Sequence, residues 1–173
     1  LRGAIGYVSQ NPFLFSSAIS ANIAYGVSEV DEEEILLAAE QAQLRRDVEE
    51  FDQGFATVIG ERGVTLSGGQ KQRATLARAL IRRPQILILD DALSAVDTHT
   101  EEAILGHLRQ IMQDRTTLII AHRISTLRDA QHILVLDEGC IAEQGTHEEL
   151  VKNGGFYAEL YERQQLAAEL EAL

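Results

Sequence analysis

Four short runs along the chain are apolar and rich in β-branched or leucine residues: Ala4 to Val8, Ile86 to Leu89, Thr117 to Ile120 and Ile133 to Leu136. Their length and composition predict buried strands. Three of them show no alternation, the pattern of a parallel sheet covered on both faces. Between the strands, apolar positions recur at helical spacing over Gln70 to Arg83, Glu101 to Gln113 and Glu148 to Gln165. The block from Ser16 to Arg62 has helical patterns, such as Asp31 to Ala42, but no good strand run. It reads as a helical insertion after the first strand. Asp31 followed by three glutamates marks a helix start, because carboxylates in the first turn face the positive end of the helix dipole. Gly139, between two short apolar runs, predicts a hairpin turn at the sheet edge. The tail from Leu166 to Leu173 contains only Ala, Glu and Leu and predicts a fraying helix end. Strands alternating with helices place the chain in the α/β class.

Length and composition narrow this further. The chain has 173 residues and a mass of 19.1 kDa, enough for one domain, or one domain with a small subdomain. Apolar residues make up 45% and charged residues 24%, the balance of a globular protein. The net charge of -12 argues against nucleic acid as a partner. A single cysteine, Cys140, excludes an internal disulfide and a cysteine zinc cluster. No apolar run approaches the ~20 residues that span a bilayer. The opening Leu1-Arg2-Gly3-Ala4-Ile5 has neither an initiating Met nor a secretory h-region, which suggests a fragment.

The first chemical signal is Leu66-Ser67-Gly68-Gly69-Gln70, followed by Lys71, Gln72 and Arg73. Ser67 can cap a helix starting near Gln70. Gly68 and Gly69 allow another molecule close to the backbone, and a helix N-terminus attracts phosphate. An ordinary glycine turn before a helix fits the same residues. The second signal is Ile86-Leu87-Ile88-Leu89-Asp90-Asp91, a buried strand ending in two carboxylates. Open α/β sheets bind ligands at the C-terminal ends of their strands. One carboxylate can hold Mg²⁺ through water and the other can polarise an attacking water. A solvated pair at a helix start is the bland alternative. Ser94-Ala95-Val96-Asp97 follows as a tight polar turn, which by itself is a helix cap. His122 falls just after a strand, where an imidazole could meet a phosphate. Gln10 closes the first strand, and its amide oxygen could reach a metal or a water. His99, His107, His132 and His147 show no partner pattern.

In this order the pieces resemble the nucleotide-binding domain of ABC transporters. Gln10 matches the Q-loop, residues 66–70 the LSGGQ signature, residues 86–90 the Walker B strand, residues 94–97 the D-loop and His122 the H-loop. The resemblance covers essentially the whole chain. Its exporter character rests on Glu61-Arg62-Gly63 (an X-loop) and on Ser9-Gln10-Asn11-Pro12-Phe13-Leu14-Phe15. Gln144 to Leu150 and Gly155-Phe156-Tyr157 add to it. The implied fold is a partial P-loop NTPase (RecA-like) parallel sheet with a helical insertion subdomain. Residues 1–10 and 84–145 would form the RecA-like core and residues 11–83 the helical subdomain with the signature. Residues 146–173 would form C-terminal helices.

The resemblance implies ATP and Mg²⁺ as cofactors, and a second nucleotide-binding domain and the transporter's transmembrane domain as partners. The implied place is the cytoplasmic face of the cell (inner) membrane. Asp90 and Gln10 would contact the metal. Asp91 and His122 would be catalytic. Gln10, Ser67, Gly68, Gly69, Gln70 and Asp97 would contact nucleotide or line the dimer interface. There are two departures. No G-x-x-x-x-G-K-[ST] loop occurs, and neither Lys71 nor Lys152 lies in one, as expected of the C-terminal part of the domain. The position after Walker B is Asp91 where the family has glutamate, which resembles one subunit of heterodimeric bacterial multidrug exporters. A soluble ABC-type ATPase outside transport is the alternative. Its translation-factor form carries D-E-P-T-N-H-L-D where this chain has residues 90–97, and its DNA-repair form has a long coiled coil that this chain lacks.

Overall fold

The computed structural model describes residues 2–60, 63–113 and 115–171, and two compact units emerge, Leu1–Ile120 and Ala121–Leu173. Glu61 and Arg62 of the expected X-loop lie outside the described residues.

The first unit is built on three parallel strands, β1 (Ile5–Val8), β2 (Ile86–Asp90) and β3 (Thr116–Ile120), in the order β1-β2-β3. Ile5 pairs with Ile86, and Ile86 with Thr116, so Val8, Leu89 and Ile119 form one cross-strand row. Val8, Leu87 and Leu89 are buried beneath the helices. The opposite face is open: Tyr7, Leu118 and Ile120 are exposed. The expected covering of both faces is therefore found on one face only. The absence of alternation in β2 reflects hydrophobic residues on both faces of a central strand.

Between β1 and β2 the chain is helical: α1 (Ile19–Ile23), α2 (Glu32–Gln41), α3 (Arg45–Glu49) and α4 (Gly68–Leu80). Asp31 caps α2 by accepting the Glu34 amide at 2.8 Å. Ser67 caps α4, with its hydroxyl accepting the Gln70 amide and the Gln70 side chain accepting the Ser67 amide. This reciprocal pair satisfies two amides that a helix start otherwise leaves unbonded. α4 then buries Ala74, Leu76, Ala77, Ala79 and Leu80, mostly small residues that let it approach β1. After β2, α5 (Thr98–Met112) buries Ile104, Leu105 and Leu108.

The second unit holds α6 (Ile124–Leu127), β4 (Ile133–Asp137), β5 (Cys140–Gly145), α7 (His147–Asn153) and α8 (Phe156–Glu171) around Ile124, Ile133, Leu150 and Tyr157. Two expectations are corrected here. The run from Ile133 joins no parallel sheet; β4 and β5 form their own antiparallel pair. Glu138 and Gly139 both take positive φ, 46° and 80°, which gives the two-residue turn whose twist suits a hairpin. The single helix expected over Glu148 to Gln165 is two helices. Gly154 adopts φ 67° and closes α7 in the left-handed conformation. α8 then starts where Glu143 accepts the Phe156 amide. The tail stays helical to Glu171.

One polar group ties the helical region together. Asn22 is 1% exposed. Its Nδ2 donates to the carbonyls of Phe15, Ser17 and Ala18, and its Oδ1 accepts from the Phe15 amide and from Arg78 Nη2. Arg78 Nε also donates to the Asn22 carbonyl at 2.7 Å and Nη1 to the Phe13 carbonyl at 2.8 Å. Removing this carboxamide takes the acceptor from Arg78 Nη2 and from the Phe15 amide, while the two Arg78 bonds to backbone carbonyls remain. Asn22→Ala should lower stability by about 2–3 kcal/mol in urea unfolding; a loss below about 0.5 kcal/mol would show that water replaces the network.

Candidate nucleotide site

The C-terminal ends of β1 and β2 bring Tyr7, Gln10, Asp90 and Asp91 together. Tyr7 and Asp90 share the open face of the sheet, and the Tyr7 hydroxyl donates to Asp90 Oδ2 at 2.9 Å. That hydrogen bond to a carboxylate raises the Tyr7 pKa above its ordinary value. Gln10 Nε2 reaches Asp91 Oδ2 at 3.3 Å. With its amino group turned to Asp91, Gln10 keeps its carbonyl oxygen as an acceptor.

Asp91 takes φ 48°, a left-handed conformation that aspartate tolerates better than most residues. Its backbone is held on both sides. The amide donates to the Ile120 carbonyl at 2.8 Å. The carbonyl accepts the Ser94 hydroxyl at 3.0 Å and Gln72 Nε2 at 3.4 Å. The turn therefore aims the carboxylate toward Gln10 while Asp90 points to Tyr7.

The glycine motif begins α4 nearby. A Cβ on Gly69 would come within 2.8 Å of the Ala95 carbonyl oxygen, so the helix start packs directly on the loop between β2 and α5. Geometry leaves the Gly68 and Gly69 amides of this first turn without intrahelical acceptors. Gln70 is less available than its motif suggests, since Nε2 donates to Asp47 Oδ1 at 2.9 Å. Asp47 in turn takes both terminal nitrogens of Arg73, at 2.9 and 3.0 Å. Asp97 caps α5, and its Oδ1 accepts the Thr100 amide at 2.9 Å. That backbone donor holds the Asp97 pKa below the usual carboxylate range.

His122 belongs to the second unit, and its side chain is exposed. Its carbonyl accepts Gln164 Nε2 at 2.8 Å, and Gln164 Oε1 accepts the Ile124 amide at 2.9 Å. Gln164 thus fixes the backbone that carries the imidazole.

Sequence reading found the carboxylates and the glycine turn but missed Tyr7, Gln72 and Gln164. Gln72 had a signal: it heads the stripe Gln72, Leu76, Ala79, Leu80, where a polar side chain interrupts core positions. Tyr7 had none, because its partner lies 83 residues away.

The donors at this edge are hard oxygens, from Asp90 and the Gln10 amide, which suit Mg²⁺. No group of three or more His, Cys, Asp or Glu among the described residues is arranged to hold an ion. The residues therefore fit a Mg²⁺ that shares its shell with phosphate oxygens and water rather than a protein-caged one.

Comparison with known proteins identifies the family. The family model described as "ABC transporter" matches residues 1–94. The probable multidrug resistance ABC transporter ATP-binding/permease protein YheI of Bacillus subtilis is 51% identical over 166 residues, 96% of this chain and 28% of that protein. The mitochondrial potassium channel ATP-binding subunit of Rattus norvegicus is 50% identical over 98% of this chain and 24% of its own length. A bacterial Atm1-family ABC exporter, solved with ATP bound, superposes with a TM-score of 0.89 at 46% identity, over 95% of this chain and 29% of that one. The chain thus spans about a quarter of the length of the curated relatives it matches. With the family model covering more than half of the chain and a parallel-sheet fold shared with a solved exporter, the chain belongs to the ABC transporter family, as part of its nucleotide-binding domain.

Proposed function

We propose that this chain is the portion of an exporter's ATPase domain that supplies Q-loop, signature, Walker B, D-loop and H-loop residues to ATP sites shared with a second such domain. The observation that carries the reading is the gathering of Gln10, Asp90 and Asp91 at one end of a parallel sheet, with a capped glycine helix start packed against the adjoining loop. Asp90 would hold Mg²⁺ through water, and Gln10 would contact the same ion; the metal would neutralise phosphate charge. Asp91 would orient the attacking water and His122 would contact the terminal phosphate. Ser67, Gly68, Gly69 and Gln70 would face the partner domain's nucleotide, with Asp97 at the interface. The RecA-like core would take residues 1–10 and 84–145, the helical subdomain residues 11–83, and the C-terminal helices residues 146–173.

The membrane partner has a candidate surface. Phe13, Phe15 and Tyr25 are exposed around a groove of about 420 Å³, and the Arg78 guanidinium lies 5.6 and 5.7 Å from the Phe15 and Tyr25 ring centres. Aromatic rings over a half-buried cation suit docking of a transmembrane partner on the cytoplasmic face of the membrane. Among the described residues no helix is long and apolar enough to cross a membrane. Asp91, one methylene shorter than glutamate, favours a slow site in a heterodimer.

Three measurements test this reading. Calorimetry with Mg-ATP on the 173-residue chain should show no binding tighter than about 1 mM, because no phosphate-cradling loop with its lysine is present; a micromolar single site would overturn that. In the full-length protein, Ser67→Arg should lower ATP turnover at least about tenfold, by placing a bulky cation where amides would meet phosphate, and Asp91→Asn should lower it less. Equal losses would argue for symmetric sites. With the partner's own catalytic carboxylate removed, Asp91→Glu should raise single-site hydrolysis by about tenfold or more, since a ~1 Å misplacement costs up to ~10²-fold. A rate left at background, with an intact partner signature, would show that reach does not limit this site.

A further inference from the structure

Gln72 is a polar side chain in a core stripe, 2% exposed on α4. A carboxamide withdrawn from water is tolerated only when its donors and acceptor are bonded. Among the described residues, the partners of the Gln72 carboxamide lie in one short loop. Its Oε1 accepts the Ala95 amide at 2.9 Å, and its Nε2 donates to Ser94 Oγ at 3.0 Å and to the Asp91 carbonyl at 3.4 Å. The same loop touches α4 a second time, where Gly69 leaves room for the Ala95 carbonyl. α4 is continuous from Gly68 to Leu80, so Gln72 and Gly69 lie within one turn of the same helix.

We propose that Gln72 is a positioning residue that couples the two ATP sites this chain takes part in. It ties the backbone of Asp91, at one site, to the helix whose first turn completes the other. The proposal rests on the assignment of Asp91 and of Ser67 to Gln70 made under Proposed function. A displacement of Asp91 on ATP binding or hydrolysis reaches the Gly68–Gly69 turn through the carboxamide, and a displacement of that turn reaches Asp91 by the same path. The residue type follows from the partners: one acceptor must meet an amide while donors meet a hydroxyl and a carbonyl. Asparagine is a methylene too short, glutamate when ionised has no donor, and leucine has neither.

The test is ATPase kinetics of the full-length protein with its partner domain, using Gln72→Glu and Gln72→Leu. At about pH 8 both variants should lose on the order of tenfold in kcat, with KM for ATP within about twofold of wild type, because positioning rather than nucleotide contact is removed. In Gln72→Glu the loss should shrink, relative to wild type, as pH falls to about 6. Burial beside the Asp91 carbonyl raises the new carboxyl's pKa, and its protonated form donates again. Should Gln72→Leu fail to fold, the near-isosteric Gln72→Glu decides alone. An active wild type whose variants keep kcat within twofold, lose kcat and KM affinity together, or show no relative recovery at low pH overturns the coupling role only. A full-length wild type without ATPase activity overturns the ATPase reading and this proposal with it.

Discussion

The site depends on the backbone of one residue, Asp91. A non-glycine residue at φ 48° sits in a sparsely occupied region and persists only where its surroundings over-determine it. Here they do: the amide is held by the Ile120 carbonyl across the sheet, and the carbonyl is held by Ser94 and Gln72. The turn separates two adjacent carboxylates that a straight strand would already send to opposite faces, and it adds a sharp change of direction after Asp90. One then meets Tyr7 on the open face and the other meets Gln10. Ala92, Leu93 and Val96 are buried just beyond, so hydrophobic burial pins the loop on its far side.

Charge imposes a second constraint. A chain of net charge -12 repels a polyanion at long range. Of the cations on α4, Arg73 is bound bidentately to Asp47, and Arg78 to Asn22 and the Phe13 carbonyl. On the reading proposed above, phosphate would be met by helix amides and by a divalent cation, groups whose fields are local and are not captured by the formal charge count.

What was legible in the sequence was local. The three parallel strands and α4 carry their own signal, because an apolar run or a Ser-x-x-Gln cap needs no distant partner to be recognised. The same holds for Asp90 and Asp91 at a strand end. What escaped depended on distance. The exposed side of the sheet could not be read, because a central strand looks the same whether or not its second face is covered. The separation of the β4–β5 hairpin from the parallel sheet is a matter of which edges pair, and an apolar run does not encode that. The break between α7 and α8 was written in Gly154-Gly155, yet its geometry is completed by Glu143, 13 residues from the amide it accepts. Tyr7 and Gln72 escaped for the same reason: their chemistry lies in partners brought close by the fold.

On the reading proposed above, the identity of residue 91 answers two demands that pull apart. The left-handed turn favours a short polar side chain, since aspartate bears φ near 48° at lower cost than longer residues. Activation of a water favours a longer carboxylate that reaches further from the backbone. Aspartate satisfies the first demand and compromises the second. The backbone network around residue 91 involves no atom of the carboxylate beyond the Gln10 contact, so it holds the turn whichever acid is present. A longer acid would therefore bear its conformational cost locally, of order 1–3 kcal/mol at most, and keep the aim set by Ile120, Ser94 and Gln72. On that reading the slow character of the site would reside in the side chain and not in the backbone frame that Ile120, Ser94 and Gln72 hold.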